Sequence, residues 1–329
     1  MSANESKLAA SKSPLRMKKD NHILTIIALM LLVCIIMLIL KPGSYFTVLN
    51  VRSMIFQFPE YGVLALGMMA CMIAGGIDLS LVGIMNLSGV LAALIVKNMV
   101  LIEGGEVANP AMVVPAIVLA CVVAVVVGAA CGAFNGFIIG YFGLPAMLVT
   151  LCGLQLYTGL AYGITGGPAI NGMCDAFKNI ANGTVAGIPY VLFIFIAVVA
   201  VVVFIMKCTV FGHEIYFLGS NAQAAMYSGI NTLKVTIMTY MFSGILGGIS
   251  GILITSHLNS AKSSNGSTYT LLSLLIVVLG GVHPDGGKGR VAGVVLAVLL
   301  LQMIANAFGL MHMSDNAKTF ANGCLLIAA

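Results

Sequence analysis

The sequence predicts an all-α, polytopic membrane helix bundle of about ten transmembrane helices, with the N- and C-termini on the inner side of the membrane. Hydrophobic residues make up 60% of the 329 residues and charged residues only 8%, whereas about one quarter of the residues of a typical soluble domain are charged. The mean hydropathy is +1.10. The apolar residues also form runs of the roughly 20 residues that a helix needs to cross a bilayer.

Residues 1–22 form a basic N-terminal segment that we expect to lie in the cytoplasm. Positive charge beside a first span orients that span with its N-terminus inside, so the net charge of +5 does not indicate a nucleic-acid partner. The following apolar run is long, and Lys41-Pro42-Gly43 follows it instead of a small-residue cleavage site, which favours a retained span over a signal peptide. The basic residues of this segment are Lys7, Lys12, Arg16, Lys18 and Lys19.

Residues 23–329 form a single predicted transmembrane domain with ten apolar segments, of which the eighth and tenth are short. Besides the five N-terminal charges, Lys207, Lys234, Lys288 and Arg290 would lie inside. Fewer basic residues would lie outside, and this bias favours both termini inside. The outer residues are Lys41, Arg52, Lys97, Lys178, Lys262 and Lys318. The predicted spans cover residues 23–40, 54–74, 81–97, 111–131, 144–164, 188–206, 233–257, 268–281, 290–311 and 317–329.

The fourth apolar tract, residues 111–142, is too long for one straight span. Small residues about four apart in residues 128–137 predict close backbone packing between helices, and static packing explains this better than a gate. The turn formers Gly143-Leu144-Pro145 then separate the fourth span from the fifth. The eight cysteines are scattered, mostly within apolar runs, so we expect no disulfide framework.

The stretch Phe211–Asn231 is the one sizeable polar segment between the long apolar spans. Its second half predicts a short helix in which Ser220 is the N-cap, Gln223 completes a capping box and Gly229 provides a left-handed stop. Such a helix can form outside the lipid.

The same short helix has a small apolar face and carries no Lys or Arg. Helices that lie on a membrane surface usually have bulky apolar anchors and a basic polar face, so docking to another protein is favoured, with an interfacial helix as the alternative. The residues of the apolar face are Ala222, Ala225 and Met226.

Asp78 is the most informative ionisable residue, because apolar sequence flanks it on both sides. A charge inside a membrane normally has a partner or a function. With Ser80 it can cap the third span after the Gly75-Gly76 break, and it can also line a cavity where irregular backbone is tolerated. A catalytic aspartate pair with Asp285 is disfavoured, because Asp285 lies in a hydrophilic turn.

Polar groups on apolar helices are candidates for lining a solute pathway, although each can equally hold helices together. Glu60 and His257 are too few for an ion relay of the kind found in carriers. The chain contains no GxxxxGK[ST] nucleotide motif, so we expect it neither to hydrolyse ATP nor to bind a cofactor. The pathway candidates are Asp78, Ser80, Asn86, Ser88, Asn135, Thr150, Gln155, Tyr157, Asn259, Ser260, Gln302 and Asn306.

Four motifs, in this order and spacing, resemble the membrane permease subunit of bacterial ribose/xylose/galactose-type ABC importers. They are GGIDLS at 75–80, GLPAMLVTL at 143–151, GHEIYFLGSNAQAAMYSGIN at 212–231 and VVLGGVHPDGGKGRVAGVVLAVLL at 277–300. The resemblance extends over nearly all of the chain after about residue 50.

The resemblance implies a multi-pass protein of the bacterial inner membrane that pairs with a second permease subunit. A cytoplasmic ATPase that binds ATP and Mg²⁺ and an external solute-binding protein complete such an importer. Residues 207–233 would then be the cytoplasmic coupling loop that seats in the ATPase. The coupling residues so implied are Gly212, Glu214, Gly219, Ser220, Asn221, Gln223, Ala224, Ala225, Ser228 and Gly229.

The expected solute is a monosaccharide or a similar small polar molecule. A permease for a nucleoside, a furanosyl signal molecule or a branched-chain amino acid stays open, as does an ion-coupled secondary carrier. An intramembrane enzyme built on Asp78 is the third class.

Overall fold

A computed structural model describes residues 21–100, 102–103, 106–107, 110–314, 317–318, 320 and 323–324. The predicted all-α class is confirmed: in this part of the chain eight helices are long and apolar enough to cross a membrane. The helices are α1 (Asn21–Leu40), α2 (Pro42–Tyr45), α3 (Val48–Ile73), α4 (Leu81–Val100), α5 (Val113–Phe142), α6 (Ala146–Thr165), α7 (Asp175–Asn182), α8 (Tyr190–Cys208), α9 (Val210–Ser220), α10 (Ala222–Tyr227), α11 (Thr232–Leu258), α12 (Tyr269–Leu279) and α13 (Val291–Leu310).

Extended structure within the described residues is limited to short antiparallel pairs in the connections, and a 3₁₀ turn, Pro110–Met112, precedes α5. The pairs are β1 (Ile102–Glu103) with β2 (Glu106–Val107), β3 (Ile170–Asn171) with β6 (Ser260–Ala261), and β4 (Thr184–Val185) with β5 (Ile188–Pro189). In the second pair Ile170 lies opposite Ala261, which ties the segment before α7 to the segment after α11.

Two helix boundaries differ from the predicted spans for identifiable reasons. Helix α3 begins at Val48 because the side chain of Thr47 accepts a hydrogen bond from the Asn50 amide, an N-cap that precedes the apolar run. Helix α5 runs unbroken to Phe142, so the predicted end of the fourth span at residue 131 is wrong. It ends at Gly143, in the left-handed conformation with φ of 65°, which confirms the predicted break.

Helix α12 matches the short eighth span and has 11 residues. At 1.5 Å per residue it is about 16 Å long, roughly half the thickness of the hydrocarbon layer. The tenth predicted span, residues 317–329, lies largely outside the described residues. The location of the termini relative to the membrane stays a prediction.

Helices α3, α4 and α11 form the centre of the bundle, and α5 packs along α11 by backbone contact. A Cβ atom on Gly128 would overlap the carbonyl oxygen of Gly244, and one on Gly244 would overlap that of Gly128. A Cβ atom on Gly132 would overlap the carbonyl oxygen of Tyr240. The close packing predicted for residues 128–137 is therefore confirmed. All eight cysteines are free.

Candidate functional site

The segment between α8 and α11 consists of two short helices. Helix α9 is capped by Thr209, whose hydroxyl accepts a hydrogen bond of 3.1 Å from the Gly212 amide, and it buries Gly212, Ile215 and Leu218 against the bundle. This spacing places the three residues on one helix face. Glu214 is half-buried on the same helix. The helix is therefore anchored along one side, and it ends at Ser220.

The predicted N-cap of the second helix is wrong by one residue. Ser220 is the last residue of α9 and its hydroxyl donates to the Phe217 carbonyl at 2.9 Å. Asn221 breaks the helix with an extended backbone, and its side-chain oxygen accepts a hydrogen bond of 2.9 Å from the Ala224 amide. Asparagine caps as well as serine, so the Ser220–Gln223 capping box does not form.

The predicted stop of this helix is confirmed. Gly229 has φ of 82°, and the Ile230 amide donates back to the Ala225 carbonyl at 3.1 Å. This is the hydrogen bond that closes a Schellman motif, which favours glycine at the left-handed position. The Ser228 hydroxyl donates to the Ala224 carbonyl at 2.9 Å.

Helix α10 points its side chains outward, apart from Ala225, which is buried. Of the predicted apolar docking face, Ala222 and Met226 are exposed, whereas Ala225 is buried against the protein and does not belong to the exposed surface. Tyr227 is 86% exposed and Met226 56% exposed. We call residues 221–229 the tip. Large apolar side chains exposed at a protruding tip are typical of a surface that another protein covers.

The C-terminal end of α9, at Gly219, meets two glycine pairs in a contact made of backbone atoms. The Gly287 amide donates to the Ile73 carbonyl at 2.8 Å. A Cβ atom on Gly219 would overlap that carbonyl oxygen and lie 2.6 Å from the Gly287 nitrogen, and one on Gly286 would lie 2.8 Å from the Gly75 Cα atom. We call these five residues the glycine junction. It connects the tip to the end of α3 and to the loop before α13.

Two further contacts place other segments at the same end of the bundle. The Tyr216 hydroxyl donates to the Gly289 carbonyl at 2.9 Å. The His22 ring hydrogen-bonds the Leu279 carbonyl at 2.8 Å. The start of α1, which follows the basic N-terminal segment, therefore lies at the end that carries the tip.

Asp78 is fully buried at the turn between α3 and α4, where it joins several elements. One carboxylate oxygen accepts hydrogen bonds from the Ser80 amide at 3.1 Å and the Ser80 hydroxyl at 2.6 Å. The other accepts from the Ser243 hydroxyl on α11 at 2.8 Å. The Asn135 amide donates to the Ser80 hydroxyl at 2.8 Å, and the Tyr157 hydroxyl donates to Asn135 at 2.8 Å. We call these five side chains the Asp78 network.

In the Asp78 network the carboxylate accepts from the amide of Ser80, the residue just before α4, so it holds the turn that leads into this helix. Each carboxylate oxygen is bonded, which is what a buried polar group requires. Asp285 does not share this environment, since its side chain is 90% exposed beside His283. The two aspartates therefore do not form the shared-proton pair of an aspartic protease.

A second polar cluster lines a cavity of about 490 Å³ between α3, α11, α12 and α13. The Glu60 side chain bonds the His257 ring and accepts a hydrogen bond of 3.2 Å from the Tyr269 hydroxyl. The Tyr61 hydroxyl donates to Gln302, whose amide donates to Gln57 at 3.1 Å. We call these six residues the Glu60 cluster. The contact of Glu60 with His257 and Tyr269 could not be predicted from the sequence. The three residues lie far apart in the chain, and their spacing does not indicate that α12 packs beside α3 and α11.

The remaining pathway candidates are dispersed. Asn86 donates to the Ser263 carbonyl at 2.8 Å, and Asn259 accepts from the Met173 amide at 3.0 Å. Asn306 exchanges hydrogen bonds of 2.9 Å with Asn50. Gln155 is exposed on α6. The Thr150 hydroxyl donates to the Ile77 carbonyl at 3.0 Å, Ser88 is buried on α4 and Ser260 lies in β6.

Comparisons with known proteins place these features in context. Residues 50–329 match the family described as branched-chain amino acid transport system / permease component. The chain is 33% identical over 307 residues to a ribose import permease protein of Haemophilus influenzae, covering 92% of this chain and 90% of that protein. It is 26% identical to an L-arabinose transport system permease protein of Escherichia coli, covering 93% of this chain and 88% of that protein. It is 29% identical to an autoinducer 2 import system permease protein of Yersinia pestis, covering 85% of this chain and 82% of that protein. No solved structure matches the chain significantly.

Proposed function

The chain belongs to the family of branched-chain amino acid transport system permease components, and we propose that it is the membrane subunit of an ATP-driven importer for a monosaccharide or a similar small polar solute. It is a multi-pass protein of the bacterial inner membrane. The relatives named above are import or transport permeases.

The observation that carries this proposal is the exposed tip on an anchored helix. An importer subunit without a nucleotide-binding motif needs a surface that receives work from a separate ATPase. The tip provides exposed apolar side chains for such a contact, and α9 provides a buried face that transmits displacement into the bundle. The start of α1 lies at the same end, and the basic residues that precede it in the sequence favour a cytoplasmic location for the tip.

The glycine junction supplies a route for this displacement. Movement of α9 acts directly on the end of α3 and on the loop before α13, because no side chain separates the backbones. We infer that closure of the ATPase pushes the tip and shifts these two elements together. Packed elements of this kind move as rigid bodies with little internal deformation.

The partners that we propose are those of an ABC importer. A cytoplasmic ATPase binds ATP and Mg²⁺ and hydrolyses the nucleotide, a second permease subunit completes the pathway, and an external binding protein delivers the solute. The relatives named for ribose and arabinose favour a sugar. The family name and the relative named for autoinducer 2 keep an amino acid or a furanosyl signal molecule as alternatives.

Reconstitution separates this function from an ion-coupled carrier. Proteoliposomes containing the chain, its ATPase and its binding protein are assayed for uptake of radiolabelled ribose and L-arabinose. We expect uptake that needs hydrolysable ATP and the binding protein and that does not respond to imposed proton or sodium gradients. Uptake by the chain alone that follows an ion gradient would contradict the proposal.

A further inference from the structure

We propose that the cavity of the Glu60 cluster binds the solute during translocation, and that Glu60 and Gln302 hydrogen-bond the hydroxyl groups of a neutral, polyhydroxylated ring. This inference rests on the function proposed above and assigns residues to its solute-binding step. It concerns a site separated along the bundle from the glycine junction, so it is independent of how the ATPase contacts the chain.

The position of the cavity within the bundle fits this role. Glu60 lies near the middle of α3, about 20 Å along the helix from Ile73 at 1.5 Å per residue. Tyr269 is the first residue of α12 and lies about 15 Å from the other end of that helix by the same measure. Ile73 and the end of α12 both lie at the end of the bundle that carries the tip, so the cavity lies inside the bundle and away from that end.

The break between α11 and α12 occurs at this level of the bundle. Irregular backbone at membrane depth is tolerated where it is buried in protein or lines a water-filled cavity. Transporters commonly bind solutes beside such discontinuous helices. The break brings Tyr269 against Glu60, and the cavity opens beside them.

The hydrogen-bonding capacity of the cluster is not exhausted. An ionised carboxylate offers about four acceptor positions, and Glu60 uses two of them, for His257 and Tyr269. Gln302 has two amide N–H groups and directs one to Gln57. The remaining positions can accept from and donate to neighbouring hydroxyl groups of one ring.

The other walls suit an uncharged ring in size and polarity. A volume of about 490 Å³ is within the usual range of about 300–1,000 Å³ for ligand pockets. The Tyr61 and Tyr269 rings pack edge to face with centroids 5.6 Å apart and give an apolar surface against which the carbon face of a ring can lie. Lys318 also lines the cavity, and the Glu60 side chain is bonded to the His257 ring, so the acidic group is accompanied by basic groups.

The test uses the reconstituted importer with its ATPase and a saturating amount of binding protein. Glu60→Gln and Gln302→Ala are compared with Ser250→Ala. Ser250 donates a hydrogen bond of 2.8 Å to the backbone carbonyl of Glu60, so its loss disturbs the same pair of helices without changing the cavity side chains. The measured quantities are the uptake of ribose and L-arabinose, its maximum rate and half-saturating concentration, and the ATP hydrolysed.

We expect Glu60→Gln and Gln302→Ala each to lower the solute moved per ATP hydrolysed by tenfold or more. The half-saturating concentration should change little, because the binding protein sets it, and Ser250→Ala should stay within twofold of wild type. If the Glu60→Gln variant does not assemble with the ATPase, the uptake per ATP of the Gln302→Ala variant alone tests whether the cavity binds the solute.

Two results would overturn the inference while leaving the proposed function intact. One is uptake per ATP in both cavity variants equal to that of Ser250→Ala. The other is a parallel loss of uptake and ATP hydrolysis, which indicates only a structural role for the cluster. Absence of ATP-dependent uptake of either sugar by the wild-type importer is a different result and contradicts the proposed sugar import itself.

Discussion

The Gly287 amide and the Ile73 carbonyl form a hydrogen bond of 2.8 Å, and Gly219 packs directly over it. Three segments that are far apart in sequence thus meet through backbone atoms at the C-terminal end of α9. A contact of this kind has no flexible side chain to absorb movement, so displacement of one segment displaces the others. This hydrogen bond lies between the exposed tip and the helices of the bundle, so movement of the tip acts on the bundle through it.

Replacing Gly219 with alanine should damage both stability and transport. The added methyl group would overlap the Ile73 oxygen, and overpacking of this kind costs about 1–3 kcal/mol. We expect a lower melting temperature in detergent and at least a tenfold loss of ATP-driven uptake. Gly159→Ala is the matched control, because no heavy atom lies within 4 Å of the position where its Cβ would be. Equal behaviour of the two variants would refute the tight contact.

Tyr216 gives a milder perturbation of the same region. Tyr216→Phe removes the hydrogen bond to the Gly289 carbonyl and should cost about 1 kcal/mol of stability. Burial raises the pKa of the Tyr216 hydroxyl above its ordinary value of 10.0, and nearby Arg290 partly opposes this. The neutral form is therefore favoured in the folded protein.

The raised pKa of Tyr216 predicts a pH dependence. The neutral Tyr216 hydroxyl contributes fully to the free energy of unfolding below pH 10. This contribution decreases as the pH rises above 10, because the tyrosine of the unfolded chain loses its hydroxyl proton at a lower pH than that of the folded chain. The melting temperature, measured at several pH values above 10, should decrease less for Tyr216→Phe than for wild type. An identical decrease in the two proteins would contradict this assignment.

The Asp78 network should be structurally demanding. Asp78→Ala leaves the hydroxyls of Ser80 and Ser243 and one amide without their acceptor, and each unsatisfied buried group costs about 1–3 kcal/mol. Ser243→Ala removes a single hydrogen bond and should cost about 1 kcal/mol. We expect the yield of folded protein and the melting temperature to fall much further for Asp78→Ala. A small effect of Asp78→Ala would argue against the network as a structural element.

The contact between α5 and α11 is testable through its glycines. Gly128→Val should separate the two helices, because even a Cβ atom at this position would overlap the Gly244 carbonyl oxygen. Gly163→Val, at an open helix position on α6, is the control. Detergent extraction followed by size-exclusion chromatography should recover monodisperse protein for Gly163→Val and little for Gly128→Val. Comparable recovery would show that the close packing is dispensable.

The sequence predicts the helices well because long apolar runs dominate it. The unbroken α5 was not predicted, since a helix of 30 residues exceeds the roughly 20 needed to span a bilayer, and its length depends on packing against α11. The shift of the cap from Ser220 to Asn221 has a similar cause. Both residue types cap helices, and the choice depends on where α9 ends.

The candidate sites were less predictable because their residues converge from distant segments. The glycine junction unites residues 73–75, 219 and 286–287, and the Glu60 cluster unites α3, α11, α12 and α13. Side chains on the same helix, such as Gln302 and Asn306, instead have separate partners, Gln57 and Asn50. Spacing within one helix reports a shared face and does not report which helix lies opposite.

Association with the ATPase tests the central claim most directly. Tyr227→Asp places a charge on a tip side chain that is 86% exposed, and Val185→Asp makes a comparable change at a position that is 50% exposed between α7 and α8. Loss of an interface hot spot costs about 2 kcal/mol or more, so ATPase copurifying with Tyr227→Asp should fall by about tenfold or more at limiting concentration. Val185→Asp should retain wild-type amounts. Equal copurification of the ATPase with both variants would contradict the assignment of the tip as the surface that receives work from ATP hydrolysis.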